Sequence, residues 1–91
     1  MQFTKKLRHH VKNGEITISI RIWKQPKVKV WGRYKLDEGC IVVTAIHEIS
    51  FSDISESMAI ESGFTCVADL LRTAKHGSGQ TVYLIRFYYE A

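Results

Sequence analysis

Residues 14–23 read GEITISIRIW, and their alternation decides how the rest of the chain is read. Ile16, Ile18, Ile20 and Ile22 fall on one side of a period of two, and Thr17, Ser19, Arg21 and Trp23 on the other. Side chains of an extended strand alternate between its faces, so this pattern predicts a strand over about 15–23. The isoleucine face points to a core. The opposite face is either an ordinary polar strand face or the wall of a site.

Working outward, Phe3, Leu7 and Val11 lie four apart with polar residues between them. This spacing predicts a short amphipathic helix over about 3–12, capped by Thr4 and ended by Asn13-Gly14. Its wet side carries Lys5, Arg8 and Lys12, with Lys6 at one edge. On the other side, Lys24-Gln25-Pro26 breaks the strand, because proline lacks a ladder donor. A second extended piece is expected from Val28 to Leu36, then a turn at Asp37-Glu38-Gly39. The β-branched run CIVVTAIHEI, 40–49, predicts a strand inside the sheet. The period then changes to that of helices. One, capped by Ser or Asp, passes through Met58 and Ile60 and closes at Gly63. A second, CVADLLRTAK, is capped by Thr65 and closed by Lys75-His76-Gly77. After the Gly77-Ser78-Gly79 loop, TVYLIRFYYE, 81–90, predicts a last strand with Tyr83, Ile85, Phe87 and Tyr89 on one face. The expected fold class is α+β in a single domain, 1–91. Closing so few strands into a small barrel would remove the exposed edges.

Ninety-one residues allow one modest core. No apolar run approaches the roughly 20 residues that span a bilayer, and the basic N-terminus lacks the apolar segment of a signal peptide. A cytoplasmic monomer without membrane contact is expected. Cys40 and Cys66 form no CxxC motif and have no further ligands at metal spacing, so neither a metal nor another cofactor is expected, and the pair is read as two buried or half-buried thiols in preference to a disulfide. The net charge of +4 hides a strong polarity. Residues 1–36 hold ten Lys/Arg against one acid, Glu15, and residues 37–91 hold three against eight. The basic third is either a solubilising lysine surface or a face for an anion, most simply nucleic acid or a nucleotide.

GEITISIRIW with PKVKVWGRY, followed in order by ESGF, DLL, AKHG and VYLIRFYY, resembles the ASCH domain from Phe3 to Tyr89. The resemblance implies a PUA-like mixed β-barrel with an N-terminal helix and two helices in the crossover before the last strand, a fold associated with RNA. The family signature is a glycine, a lysine two residues on, an acidic or hydroxyl residue five on and an arginine seven on. Gly14, Ser19 and Arg21 match it, while Ile16 stands at the lysine position. One branch of the family hydrolyses N4-acetylcytidine without a metal, using a lysine, a threonine and a glutamate. Ser19 matches the threonine, and Glu61 lies one residue from the place of the glutamate.

The resemblance therefore implies removal of the acyl group from N4-acetylcytidine or a related nucleoside. Glu61 would be the base, Ser19 the hydrogen-bond donor or nucleophile, and Lys6 or Lys75 the cation. Thr17, Arg21, Trp23, Lys24 and His76 would contact the substrate, and an exposed tryptophan beside basic residues can stack on a base. Two other readings follow from the family and the charge. One is a module that binds single-stranded RNA or a modified nucleoside. The other is a metal-independent ribonuclease using a lysine, a tyrosine and a serine.

Overall fold

A computed structural model of the chain describes residues 3–74 and 79–91. Helix α1 (Lys5–Lys12) is followed by strands β1 (Ile18–Trp23), β2 (Arg33–Leu36) and β3 (Gly39–Ile49). A 3-10 turn (Phe51–Asp53), helices α2 (Glu56–Glu61) and α3 (Val67–Ala74) and strand β4 (Thr81–Glu90) complete the order. The expected helix closure at Lys75-His76-Gly77, and the start of the loop after it, lie outside the described residues.

The fold is α+β, with the four strands in the order β1-β4-β3-β2. Every pairing is antiparallel, where a mixed sheet was expected. The register gives the reason. Val82, near the start of β4, pairs with Ile49 at the end of β3, so the helical crossover leaves and re-enters the sheet at the same end. It acts as a very long hairpin connection. The sheet curls into a half-barrel, with β1 and β2 at its edges. One cause of curl is visible in β3. Val43 pairs with Phe87 and Ala45 with Arg86, which leaves Thr44 as an extra residue in a β-bulge. Its hydroxyl donates to the Arg86 carbonyl instead. The bulge also shifts the alternation, so Ile41 and Val43 share a face with Ile46.

Both faces of the sheet are covered. On one, Ile18, Ile20 and Ile22 pack with Val82 and Leu84 against Ile54, Ala59, Leu70 and Ala74 of the crossover. On the other, Trp23, Ile41, Val43, Tyr83, Ile85 and Phe87 pack against Phe3, Leu7 and Val11 from the N-terminal segment. Ile16 belongs to this second group, not to the isoleucine row where its parity put it. The strand begins only at Ile18. Ile16 still belongs to the turn that ends α1, where its amide donates to the His10 carbonyl.

Helices α1 and α2 end alike. Gly14 and Gly63 take φ of +83° and +98°. Their amides donate to Val11 and Ile60, and those of the following residues, Glu15 and Phe64, to His10 and Ala59. This is the left-handed glycine stop that satisfies the last carbonyls of a helix. The signature glycine, Gly14, thus has a backbone task. Helix starts followed expectation less closely. Ser55 caps α2 by accepting from the Met58 amide. Thr4 stands at the head of α1 but makes no side-chain cap. Thr65 lies two residues before the start of α3, and its amide and hydroxyl both donate to Asp69.

The second extended piece is shorter than its sequence suggests. Residues 24–32 form an irregular loop, and β2 starts at Arg33. Trp31 adopts φ +65°, which turns the chain, and the Trp31 amide bonds the Val43 carbonyl. Helix α1 is tied to the β2–β3 turn by charge. Lys12 lies 2.7 Å from Glu38 and 3.5 Å from Asp37, with Arg8 3.9 Å from Asp37. Arg8 and Lys12, expected on a wet face, are therefore half-buried partners of that turn. Both cysteines are free and half-buried, and no helix among the described residues is long and apolar enough to cross a membrane.

Gly63→Ala is expected to destabilise the protein by about 1–2 kcal/mol through the left-handed backbone alone. A Cβ there would also come within 2.7 Å of Leu7 and 2.8 Å of Ile16. Urea unfolding measures the sum, and the same change at Gly14, where a Cβ meets nothing, isolates the backbone part. Acid should also weaken the fold. Lys12 lowers the Glu38 carboxyl, the Ser50 amide lowers Asp53 and the Thr65 amide lowers Asp69. Each binds fewer protons folded than unfolded, so its contribution is present above the ordinary carboxylate range and lost as pH falls through the lowered values. Melting temperature should fall between pH 5 and pH 3, and Lys12→Gln should flatten that fall.

Candidate functional site

The polar row of β1 is not wetted strand surface. Ser19 and Trp23 are each only 6% exposed, and Arg21 is partly buried between them. They line a cavity of about 580 Å³, within the usual range for a small-molecule site. Four parts of the chain form it. Strand β1 supplies Ser19, Arg21 and Trp23, and the N-terminal segment supplies Phe3, Thr4 and Leu7. The loop after β1 contributes Lys27 and Val28. The α2–α3 joint and the end of α3 add Ser62, Phe64, Thr73 and Ala74.

Local structure explains most of these positions. Alternation on β1 sends Ser19, Arg21 and Trp23 to one side, across from Ile85, Tyr83 and Thr81 of β4. The Trp23 and Tyr83 rings meet at 6.1 Å between centroids, tilted by 39°. Phe3 is held in place by its carbonyl, which accepts from Arg8 Nε at 3.1 Å, and by its ring against Phe87. Ser62 is the last half-helical residue of α2, and its Oγ donates back to the Ala59 carbonyl. The Gly63 turn then carries Phe64 to the cavity wall.

Arg21 dominates the electrostatics. Its Nε donates to Ser19 Oγ at 2.8 Å, and its guanidinium carbon lies 5.2 Å from the centre of the Phe3 ring. The second contact is within cation–π range. Burial lowers the Arg21 pKa from its ordinary value, and the group remains cationic at neutral pH. Ser19 Oγ accepts in this pair, which leaves its own proton to donate elsewhere. Among the described residues the lining holds two cations, Arg21 and Lys27, and four hydroxyls, Thr4, Ser19, Ser62 and Thr73, but no carboxylate. Such a wall offers mostly hydrogen-bond donors between aromatic surfaces.

Of the residues singled out in the sequence, Ser19, Arg21 and Trp23 come together here. Thr17 precedes β1 and is exposed, with its carbonyl accepting from the Phe87 amide. Lys24 is exposed beyond the strand end, and Lys6 is exposed on α1. Glu61 is the exposed last residue of α2 and is not in the wall, although its neighbour Ser62 is. Lys75 and His76 lie outside the described residues. Ile16 is 5% exposed in the core, so the family's lysine position holds no charge. Lys27 supplies a cation to the cavity instead. Thr4, Lys27, Ser62, Phe64 and Thr73 were not anticipated. Lys27 was hidden in a run of lysines, and Ser62 sat one residue from the acid that drew attention. Thr4, Phe64 and Thr73, from the N-terminal segment, the α2–α3 joint and α3, become neighbours only when those parts pack on β1.

Comparison of the chain with protein-family models, with curated proteins and with solved structures finds no match in any of the three.

The Ser19–Arg21 contact can be measured. Ser19→Ala should cost about 1 kcal/mol in urea unfolding, at the low end for a bond to a charged group because Arg21 is partly exposed. Ser19→Thr retains the oxygen and should recover most of that loss. Equal losses in both would mean that the contact contributes nothing.

Proposed function

We propose that the cavity against β1 holds a single nucleoside and that recognition of a modified cytidine is the protein's function. One observation carries this reading. A donor-rich wall of Ser19, Arg21 and Lys27 faces a space of about 580 Å³ bordered by Trp23, Phe3 and Phe64. Cytosine bears a carbonyl and a ring nitrogen that accept hydrogen bonds, and an N4-acyl group adds a second carbonyl. These acceptors suit a wall that donates, and a base is flat enough to lie between aromatic side chains. The resemblance to the ASCH domain in GEITISIRIW supports the same ligand class. Lys27 takes the charged role that Ile16 leaves open.

Hydrolysis of the N4-acyl amide is the second reading, favoured by the place of Glu61 directly before the cavity-lining Ser62. It requires the Glu61 carboxylate to turn over Ser62 to the cavity mouth. There it would take a proton from water, and the hydroxide would add to the acyl carbon. Ser19 Oγ and Arg21 would donate to the oxyanion. Collapse would break the bond from the acyl carbon to the cytidine N4, and N4 would take from Glu61 the proton that Glu61 had removed from water. One water is consumed, and cytidine and a carboxylic acid are released.

The test uses Trp31→Phe protein, so that Trp23 alone reports. Titration with N4-acetylcytidine should change the Trp23 fluorescence saturably, and Ser19→Ala should weaken binding by about five- to tenfold. No saturable response to N4-acetylcytidine or cytidine would end the proposal. In the same samples, loss of the ultraviolet absorption of the N4-acyl group reports turnover. Turnover abolished by Glu61→Gln, with binding retained, supports the hydrolytic reading. Binding without turnover in the unmodified protein rejects it.

A further inference from the structure

Trp31 is the most exposed large apolar residue described, at 68%, and it sits on the loop whose inner side closes the cavity. Its φ of +65° is uncommon for a bulky residue and costs free energy that its burial does not return. The surroundings nevertheless hold its backbone firmly. The Trp31 amide donates to the Val43 carbonyl at 2.6 Å, and the Val43 amide to the Gly32 carbonyl at 3.1 Å. The Gly32 amide turns back to Lys29, and the Lys29 amide donates to Tyr34 Oη at 2.9 Å. The loop is therefore braced from both sides with its indole left in water.

The same loop carries Lys24, Lys27 and Lys29, with no acid between residues 16 and 36. All three lysines are exposed, and none forms an ion pair with another described residue. Lys35, on β2, is likewise exposed and forms no ion pair with another described residue, whereas three other basic residues differ. Arg8 and Lys12 are engaged by the β2–β3 turn, and Arg33 by Glu90. Lys27 and Val28 line the cavity, and Trp31 follows Val28 by three residues, at most about 11 Å of extended chain. Unpaired cations beside a fixed, solvent-facing indole match a chain of phosphates with unstacked bases. A duplex would present no free base face to the indole.

We propose that the loop 24–32 is a binding surface for single-stranded nucleic acid, in which Trp31 stacks on a base and Lys24 and Lys29 contact phosphates. Resting on the nucleoside reading of the cavity, this makes the substrate class a nucleotide within a strand, with the flanking residue on Trp31.

Binding of dye-labelled single-stranded seven-nucleotide RNA and DNA, followed by fluorescence anisotropy, tests this. The wild-type protein should bind, and its affinity should fall as salt rises from 50 to 200 mM. Lys24→Gln and Lys29→Gln should each reduce the slope of log affinity against log salt by about 0.7. Trp31→Ala should weaken binding by about 5- to 150-fold without changing that slope, and Trp31→Phe should retain most of it. Unchanged melting temperatures in these surface variants separate binding from folding. A preference for RNA over DNA identifies the 2′-hydroxyl as part of the ligand, and equal binding identifies bases and phosphates alone; either supports the surface. Lack of oligonucleotide binding, or binding indifferent to Trp31→Ala, overturns the proposal. So does equal affinity for duplex, or Trp31-dependent binding to anionic lipid vesicles in place of oligonucleotides. N4-acetylcytidine binding to the Trp31→Phe protein is a separate measurement. If it persists while oligonucleotide binding fails, this inference alone falls; if it fails while Trp31-dependent oligonucleotide binding persists, the cavity reading alone falls.

Discussion

Residues Val82 to Ile85 are buried on both sides of the sheet, and β4 has a strand hydrogen-bonded along each edge. Buried backbone amides and carbonyls must be paired, so β4 cannot be exposed to water along one edge without large cost. It joins β1 to β3, which are otherwise separate in the sheet. It also carries Tyr83, Ile85 and Phe87 to one core and Val82 and Leu84 to the other. The chain's last strand is thus the member on which both cores close. Loop closure must bring distant segments together before those contacts form, which makes the topology one of long-range pairing.

That two-sided burial is what makes the cavity. A sheet covered on one side would leave Ser19, Arg21 and Trp23 in water. Here the N-terminal segment and the 24–32 loop fold over them, with Arg21 above Phe3 and Ser19 accepting from Arg21. Polar groups placed in such a setting need partners, and the wall meets this condition, since no buried side-chain nitrogen or oxygen among the described residues lacks a hydrogen-bond partner. The basic charge of the N-terminal third divides in the same way. Part is engaged in holding α1 to the β2–β3 turn, and the lysines of the loop face outward beside Trp31. A net charge cannot distinguish these uses, because each depends on which acids the fold brings close.

Periodicity made much of the fold legible. The run 81–90 corresponds to β4 residue for residue, and the glycines at 14 and 63 end helices because only a left-handed residue completes the final bonds. Ile16 shows where that reasoning stops. Its parity was that of the isoleucine row, but the helix-ending turn extends past it and breaks the alternation before the strand begins. Thr44 shows the same limit inside β3, where one extra residue changes the facing of everything after it. At the site, Ser19, Arg21 and Trp23 were legible because they share one strand. Lys27, Ser62 and Thr4 were not, since they reach the cavity from three separate elements.

The sequence by itself determined the α+β class, the places of the helices and of the inner strands, the glycine stops and the grouping of Ser19, Arg21 and Trp23. All of these follow from local backbone geometry and side-chain alternation, which act over a few residues. Only the tertiary structure decided that the sheet is antiparallel throughout, that the polar face of β1 is enclosed, that Ile16 is core and that Lys27 joins Arg21 while Glu61 stays outside. Those outcomes depend on how elements far apart in the chain bury their apolar surfaces against one another. No short-range pattern records which distant partner wins that competition.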